Sequence, residues 1–242
     1  GVGTREIGYL FGQYKRITHR YESGTLTGKG LSWGGALVRP EATGYGAVFF
    51  LQEMLKVQGR DVEGRTCVVS GAGNVAIHAI EKLQQLGGRV LACSDSQGYV
   101  YDPDGIDLPT LRQVKEVERT TLQAYAGYRG GAVHHPRGNI WEVPTELALP
   151  CATQNELAAA DARMLVANGC LAVAEGANMP TTPEGLEVLR AGGVLFGPGK
   201  AANAGGVATS ALEMQQNAAR DSWTFAHTEA KLAEIMSSIH EQ

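Results

Sequence analysis

The sequence contains no apolar run long enough to span a bilayer. The run 47–51, for example, is interrupted at once by Gln52 and Glu53, so no membrane partner is expected. Cysteine is scarce, and no two cysteines form a C-x-x-C pair. Each lies in or beside an apolar stretch, which predicts small buried side chains in a reducing cytoplasm and not a disulfide framework. The four cysteines are Cys67, Cys93, Cys151 and Cys170.

Basic stretches are also missing: the chain has 21 Lys and Arg residues against 25 Asp and Glu residues, and its formal net charge is -4. A mildly acidic chain without a basic stripe argues against nucleic acid as a partner. The six histidines do not cluster with the cysteines, so no metal site is predicted. His134 and His135, which precede Pro136, are interpreted as an exposed loop pair.

Apolar runs alternate with stretches of helical periodicity along most of the chain. This alternation is typical of a parallel sheet covered by helices, and 242 residues suffice for one large α/β domain. We therefore predict a Rossmann-like α/β fold: a doubly wound, mostly parallel sheet with helices on both faces. The predicted strands are 66–70, 90–93, 147–149, 171–174 and 194–196, and the predicted helices are 40–57, 75–86, 111–125, 160–168, 184–191 and 207–219.

The first forty residues differ in composition from the rest. Residues 5–17 have the periodicity of an amphipathic helix, whereas residues 23–37 are rich in Gly, Thr and Ser and predict an extended, turning connection. We expect residues 1–40 to lead from an amino-terminal domain outside this chain into a dinucleotide-binding domain over residues 41–242.

A G-x-G-x-x-A motif stands between the first predicted strand and the helix after it. Gly71 permits a tight turn, Gly73 lets the backbone approach a pyrophosphate, and Ala76 allows close packing of helix on strand. The N-terminus of the following helix offers free N–H groups to the phosphates. The motif in this setting predicts a dinucleotide site.

The next predicted strand ends in an acid about twenty residues beyond the motif, as the dinucleotide fingerprint requires. Asp95 in this position favours NAD, because a carboxylate bonds the ribose 2′-hydroxyl and repels a 2′-phosphate. Ser96, Lys115 and Arg119, by contrast, would donate hydrogen bonds to a 2′-phosphate and so favour NADP. The two cations are also typical of a solvated helix face. Physical reasoning alone leaves the choice between NAD and NADP open.

Five longer stretches together resemble glutamate dehydrogenases in order and spacing, and the likeness runs along the whole chain. It is closest to the small-subunit, hexameric bacterial and fungal type. The resemblance implies reversible oxidative deamination of L-glutamate to 2-oxoglutarate and ammonia, with hydride passing to NAD(P)+. The stretches are 39–46 (RPEATGYG), 71–76 (GAGNVA), 150–156 (PCATQNE), 174–182 (AEGANMPTT) and 199–210 (GKAANAGGVATS).

The resemblance also implies roles for individual residues. Thr43, Asn74 and Asn178 correspond to cofactor contacts, and Ser210 corresponds to the serine that bonds the γ-carboxylate of the substrate. Each has a structural alternative: a helix-start hydrogen bond for Thr43, a turn for Asn178, and a small residue at a helix contact for Ser210. Further contacts are expected from Val75, Ala152 and Thr153 to the cofactor and from Val207 to the substrate.

Residues 94–98 look like those of NADP-linked members, in which a serine and a cation on the following helix meet the 2′-phosphate. Arg119 best matches that cation and Lys115 is the alternative, so NADP is the expected cofactor and NAD the second choice.

The resemblance implies that the catalytic aspartate and lysines of the family lie in a segment before Gly1, outside this chain. We expect the chain to be the cofactor-binding half of an enzyme, inactive alone, whose complete form is a homohexamer. Two rival functions are a leucine, valine or phenylalanine dehydrogenase and a non-catalytic dinucleotide-binding module. A dehydrogenase for apolar amino acids has no γ-carboxylate to bind and no reason to keep the Ser210 hydroxyl.

Overall fold

The structure, a computed structural model, describes residues 2–242. Its centre is a seven-stranded sheet in the order β4-β3-β2-β1-β5-β6-β7. Strands β2, β1, β5, β6 and β7 are parallel, whereas β3 and β4 form an antiparallel hairpin at one edge. The strands are β1 (Thr66–Val69), β2 (Arg89–Asp95), β3 (Gly98–Tyr101), β4 (Val133–Pro136), β5 (Leu147–Leu149), β6 (Ala172–Ala174) and β7 (Leu195–Gly197).

Ten α-helices surround this sheet in the described part of the chain. Side-chain caps begin several of them: Thr182, for example, accepts a hydrogen bond from the N–H of Gly185 at 3.1 Å. The helices are α1 (Thr4–Thr18), α2 (Ala42–Lys56), α3 (Asn74–Gln85), α4 (Leu108–Arg112), α5 (Leu122–Tyr128), α6 (Ala159–Ala167), α7 (Pro183–Ala191), α8 (Gly199–Ala202), α9 (Gly205–Ala219) and α10 (Phe225–Glu241).

The central strands bury both of their faces, because side chains alternate along a strand. Cys67 and Val69 of β1 pack into a core with helices α2, α3, α4, α5 and α10. Val68, between them, packs on the opposite face with α6 and α7. All three side chains are fully buried. This arrangement confirms the predicted mostly parallel α/β sheet with helices on both faces.

The five predicted strands are all present, but the β3–β4 hairpin was not predicted. The interpretation of His134 and His135 as an exposed loop is wrong, because both are half-buried in β4. The His135 ring stacks on Tyr99 of β3, with ring centroids 4.6 Å apart. Residues 133–136 form a strand because their backbone pairs with β3, and the local sequence alone does not specify this pairing.

The prediction of a single helix over residues 111–125 is also wrong. The chain forms α4, a π-helical turn at Gln113–Val117 and, after a break, α5. At the break Arg119 has left-handed backbone, with φ of 55°. The N–H of Leu122, which begins α5, donates to Asp95 at 3.0 Å, so a contact from the sheet restarts the helix. Helix α2 begins at Ala42 and not at residue 40 as predicted, so Pro40 precedes its first turn. Helix α10 was not predicted.

The cysteines are free and buried, which confirms their interpretation as small apolar side chains. Burial raises the pKa of each thiol, to about 12 for Cys170. Among residues 2–242, none of the helices has the length and apolar character needed to cross a membrane.

Candidate functional site

The candidate site lies at the carboxyl edge of the parallel strands, between β1 and β5. These strands are neighbours, but the chain continues from β1 towards β2 on one side and from β5 towards β6 on the other. Such a reversal of strand order opens a crevice in which α/β sheets bind ligands. The two loops touch, because a Cβ atom on Gly71 would lie 3.2 Å from the Cα atom of Ala152.

The glycine turn after β1 fits a pyrophosphate. Gly71 has φ of 85°, a left-handed conformation that favours glycine, and its N–H donates to the Ser94 hydroxyl at 2.9 Å. Gly73 precedes the first residue of α3 and provides no side-chain cap. A Cβ atom on Gly73 would meet nothing within 4 Å, so a ligand can approach the backbone there. The turn therefore leaves the N–H groups that begin α3 open to phosphate oxygens.

A cleft of about 850 Å³ opens beside this turn. Seven residues predicted from the sequence line it, drawn from loops and helices that are remote along the chain. The cleft therefore brings the motifs after β1, β5, β6 and β7 to one edge of the sheet. These seven residues are Thr43, Val75, Ala152, Thr153, Asn178, Val207 and Ser210.

One wall of the cleft combines a cation with a hydroxyl. Arg39 Nε donates to Ser210 Oγ at 2.9 Å, and Thr27 Oγ1 donates to the same oxygen at 3.1 Å. The Ser210 hydroxyl in turn donates to the carbonyl of Gly206 at 3.1 Å. Arg39 and Ser210 both line the cleft and are half-buried. A guanidinium beside a hydroxyl is suited to a carboxylate ligand.

Another part of the cleft is lined by a pair of hydrogen-bonded asparagine amides. Asn203 Nδ2 donates to Asn178 Oδ1 at 2.7 Å and to the carbonyl of Ala177 at 3.2 Å. Beneath them the buried Glu175 accepts the N–H of Gly199 at 2.6 Å and that of Thr181 at 3.1 Å. One carboxylate therefore fixes the loop after β6 against the beginning of α8.

Glu156 shapes the loop after β5. Its Oε1 accepts the N–H of Ala152 at 3.0 Å and that of Thr153 at 3.3 Å. Burial raises the pKa of the Glu156 carboxyl, and these hydrogen bonds offset only part of that effect. Both N–H groups donate to Glu156 and are not free to bind a ligand. Ala152 and Thr153 can therefore contact a ligand in the cleft only through their side chains and carbonyl groups.

Asp95, at the end of β2, accepts hydrogen bonds from three protein donors. Its carboxylate accepts the N–H of Gln97 at 2.9 Å, the Lys115 ammonium at 3.0 Å and the N–H of Leu122 at 3.0 Å. Burial alone would raise the pKa of Asp95, but these hydrogen bonds and the Lys115 charge hold it below its ordinary value. The predicted bond from Asp95 to a ribose hydroxyl would compete with these partners.

The other predicted residues lie outside the 850 Å³ cleft but along the same edge. Ser96 and Arg119 are exposed near the end of β2, and Asn74 donates from its side-chain amide to the carbonyl of Pro40 at 2.7 Å. The roles assigned to these residues stay predictions, as do those of the residues in the cleft.

Sequence reasoning missed several groups that build the site. Lys29 and Glu213 form an ion pair at 2.6 Å, and both side chains are inaccessible to solvent. Glu213 also accepts the N–H of Gly28 at 2.9 Å, so the pair holds the connection against α9. No local signal marks residues that are 184 positions apart. Arg39 and Glu156, by contrast, stand inside stretches already singled out.

Known proteins match this chain along its length. An NAD(P)-specific glutamate dehydrogenase of Xylanibacter ruminicola is 53% identical over 99% of the chain, which covers 54% of that protein. The NADP-specific glutamate dehydrogenase of Escherichia coli is 50% identical, with the same coverages of 99% and 54%. The solved structure of Plasmodium falciparum glutamate dehydrogenase superposes with a TM-score of 0.95 at 47% identity, over 98% of this chain and 51% of that one.

The chain therefore spans about half the length of the curated relatives it matches. A family profile described as Glutamate/Leucine/Phenylalanine/Valine dehydrogenase matches residues 34–242. The resemblance to glutamate dehydrogenases seen in the sequence motifs is thus confirmed. The chain belongs to the glutamate/leucine/phenylalanine/valine dehydrogenase family.

Proposed function

We propose that this chain forms the cofactor-binding half of an NADP-dependent glutamate dehydrogenase, which interconverts L-glutamate with 2-oxoglutarate and ammonia. The observation that carries the proposal is the crevice between β1 and β5, where the open glycine turn lies beside the cleft that Arg39 and Ser210 line. This arrangement offers one part of the site to phosphates and another to a carboxylate.

The dinucleotide supplies the hydride acceptor when it is bound. Gly71, Gly73 and the first N–H groups of α3 would hold its pyrophosphate, while Thr43 and Asn178 would contact its nicotinamide end. Relatives named as NADP-specific support NADP, and NAD is the alternative. The ion pair between Lys115 and Asp95 also supports NADP, because it neutralises the charge that would repel a 2′-phosphate.

Glutamate is favoured over leucine, valine and phenylalanine by the Arg39–Ser210 wall. An apolar substrate would leave the half-buried guanidinium facing a side chain that accepts no hydrogen bond, whereas a carboxylate would pair with it. Ser210 and Arg39 would bind the γ-carboxylate. Val207, which is 71% exposed at the edge of the cleft, would pack against the substrate's carbon chain.

The other half of the enzyme would supply the residues that exchange protons with the substrate. Closure of two domains around the ligands then excludes water and aligns the substrate α-carbon with the nicotinamide. The family resemblance further supports a homohexamer for the complete enzyme, and the free, buried cysteines support a cytoplasmic location. Sedimentation of the complete enzyme and cell fractionation test these two expectations.

The experiment compares cofactor binding with turnover in the 242-residue chain. We expect calorimetric titration to detect NADP binding, while L-glutamate and NADP give no NADPH absorbance. Appreciable glutamate oxidation would contradict the division of the active site between two halves. Absence of binding to both NADP and NAD would contradict the proposal as a whole.

A second titration tests the substrate class. Glutarate, a dicarboxylate without the amino group, is added to the NADP-loaded chain and followed by amide chemical shifts around Ser210. We expect a response that Ser210→Ala and Arg39→Met weaken. A stronger response to isocaproate, an apolar monocarboxylate, would favour a dehydrogenase for apolar amino acids.

A further inference from the structure

The end of β2 has a neighbour that its own motif does not reveal. After Asp95 the chain turns through Ser96 and Gln97 into the β3–β4 hairpin. The N–H of Arg137, which follows β4, donates to the carbonyl of Gln97 at 2.9 Å. Arg137 therefore lies beside the Ser96–Gln97 turn, at the edge where the glycine motif lies.

The hairpin holds the Arg137 backbone rigidly. A Cβ atom on Gly98 would lie 2.1 Å from the carbonyl oxygen of His135, and one on Gly138 would lie 2.7 Å from the Tyr99 ring. The His135 ring also stacks on Tyr99. Arg137 itself has φ of 56°, a left-handed conformation that is uncommon for non-glycine residues.

The charges at this end of the sheet leave Arg137 available. Lys115 is bound to Asp95 at 3.0 Å and to the carbonyl of Thr120 at 2.8 Å, so its charge is compensated. The side chains of Arg119 and Arg137 are exposed, and neither forms a hydrogen bond or ion pair with any residue between 2 and 242. The turn thus has two uncompensated guanidinium groups in its vicinity, one on each flanking segment.

We propose that Arg137 is a specificity-determining residue that binds the 2′-phosphate of NADP beside Ser96. The inference rests on the proposed dinucleotide site and adds a residue from the β3–β4 hairpin to it. A guanidinium binds a phosphate through two parallel hydrogen bonds, and the 2′-phosphate is the group that NAD lacks. Arg137 therefore discriminates between the two cofactors.

The test measures the affinity of the 242-residue chain for NADP and NAD in the parent and in Arg137→Gln. We expect Arg137→Gln to weaken NADP binding about tenfold to a hundredfold and to leave NAD binding unchanged, because a charged hydrogen bond is lost only in the NADP complex. The fragments 2′,5′-ADP and 5′-AMP, which differ only in the 2′-phosphate, should show the same contrast. Arg119→Gln is the matched comparison for Arg137→Gln, because it removes the other unpaired guanidinium near the end of β2 by the same substitution.

Arg137→Gly controls for folding, since glycine accepts the left-handed backbone without strain. We expect its thermal midpoint to match or exceed that of the parent while NADP affinity falls as in Arg137→Gln. Equal weakening of NADP and NAD, or NADP affinity unchanged in both variants, overturns the assignment but leaves the proposed function intact. A parent that binds neither cofactor overturns both.

Discussion

The parallel sheet and the connection before it are stabilised in different ways. In the sheet, Cys67, Val68 and Val69 are fully buried among apolar side chains from helices on both faces. In the connection, the anchoring contact is the inaccessible ion pair between Lys29 and Glu213. The sheet therefore depends on many apolar contacts that substitute for one another, whereas the connection depends on a few polar contacts with single partners.

The largest expected effect comes from breaking the polar anchor. Glu213→Ala leaves the Lys29 ammonium buried without its partner, and we expect a loss of about 3–5 kcal/mol in the free energy of unfolding. Urea denaturation measures the loss. Replacing both residues, Lys29→Met with Glu213→Leu, should restore only part of the stability, because no buried charge remains unpaired but the N–H of Gly28 loses its acceptor.

An exposed ion pair provides the control for this comparison. Lys56 and Glu53 lie 2.8 Å apart on α2, with side chains 51% and 24% exposed. Lys56→Ala should cost less than about 0.5 kcal/mol. Equal losses for Glu213→Ala and Lys56→Ala would contradict the role given to the buried pair.

The apolar core should respond to a loss of volume. Leu149 of β5 is fully buried, and we expect Leu149→Ala to cost about 2–5 kcal/mol through lost burial and the cavity left behind. Leu31 in the connection is 62% exposed, so Leu31→Ala should change stability by less than about 0.5 kcal/mol. A comparable loss at Leu31 would mean that the connection also depends on apolar burial.

Substitutions at the two glycines of the motif should have different effects, one on stability and the other on cofactor binding. Gly71→Ala forces a side chain into left-handed backbone at φ of 85°, and we expect it to cost about 1–3 kcal/mol. Gly73→Ala meets open space at φ of -93°, so its unfolding curve should match that of the parent. Its NADP affinity should nevertheless fall about tenfold or more, because the new methyl group occupies the approach to the backbone. Unchanged NADP affinity in Gly73→Ala would contradict this placement of the pyrophosphate.

The smallest expected effects are opposite dependences on pH at two carboxylates, Asp95 at the end of β2 and Glu156 in the loop after β5. Hydrogen bonds hold the pKa of Asp95 below its ordinary value of 3.8, so its contribution to stability is present above that value and is lost as pH falls through the lowered pKa. Burial raises the pKa of Glu156 above its ordinary value of 4.5, so its contribution is present below 4.5 and is lost as pH rises through the raised pKa.

Urea denaturation over a pH series measures both dependences. The stability advantage of the parent over Asp95→Asn should shrink on acidification below 3.8. Its advantage over Glu156→Gln should shrink as pH rises above 4.5. If the stability differences of the two variants from the parent changed with pH in the same direction, the opposite pKa shifts of Asp95 and Glu156 would be contradicted.

Prediction from the sequence succeeded where local pattern decides structure. The central strands are continuous apolar runs, and the glycine turn follows from backbone sterics that Gly71 alone relieves. Prediction failed at the β3–β4 hairpin and at the break before α5. The hairpin depends on pairing between β3 and β4, and the break depends on the bond from Leu122 to Asp95, which joins residues 27 positions apart.

The same distinction holds for the candidate site. The sequence by itself determined the alternation of strands and helices, the dinucleotide motif and the family resemblance, because each is written in residues close together along the chain. Only the tertiary structure decided that Lys115 neutralises Asp95, that Arg39 and Thr27 meet Ser210, and that Arg137 lies beside the end of β2. Each of these contacts joins side chains or backbone groups brought together by folding, and local periodicity has no means of specifying them.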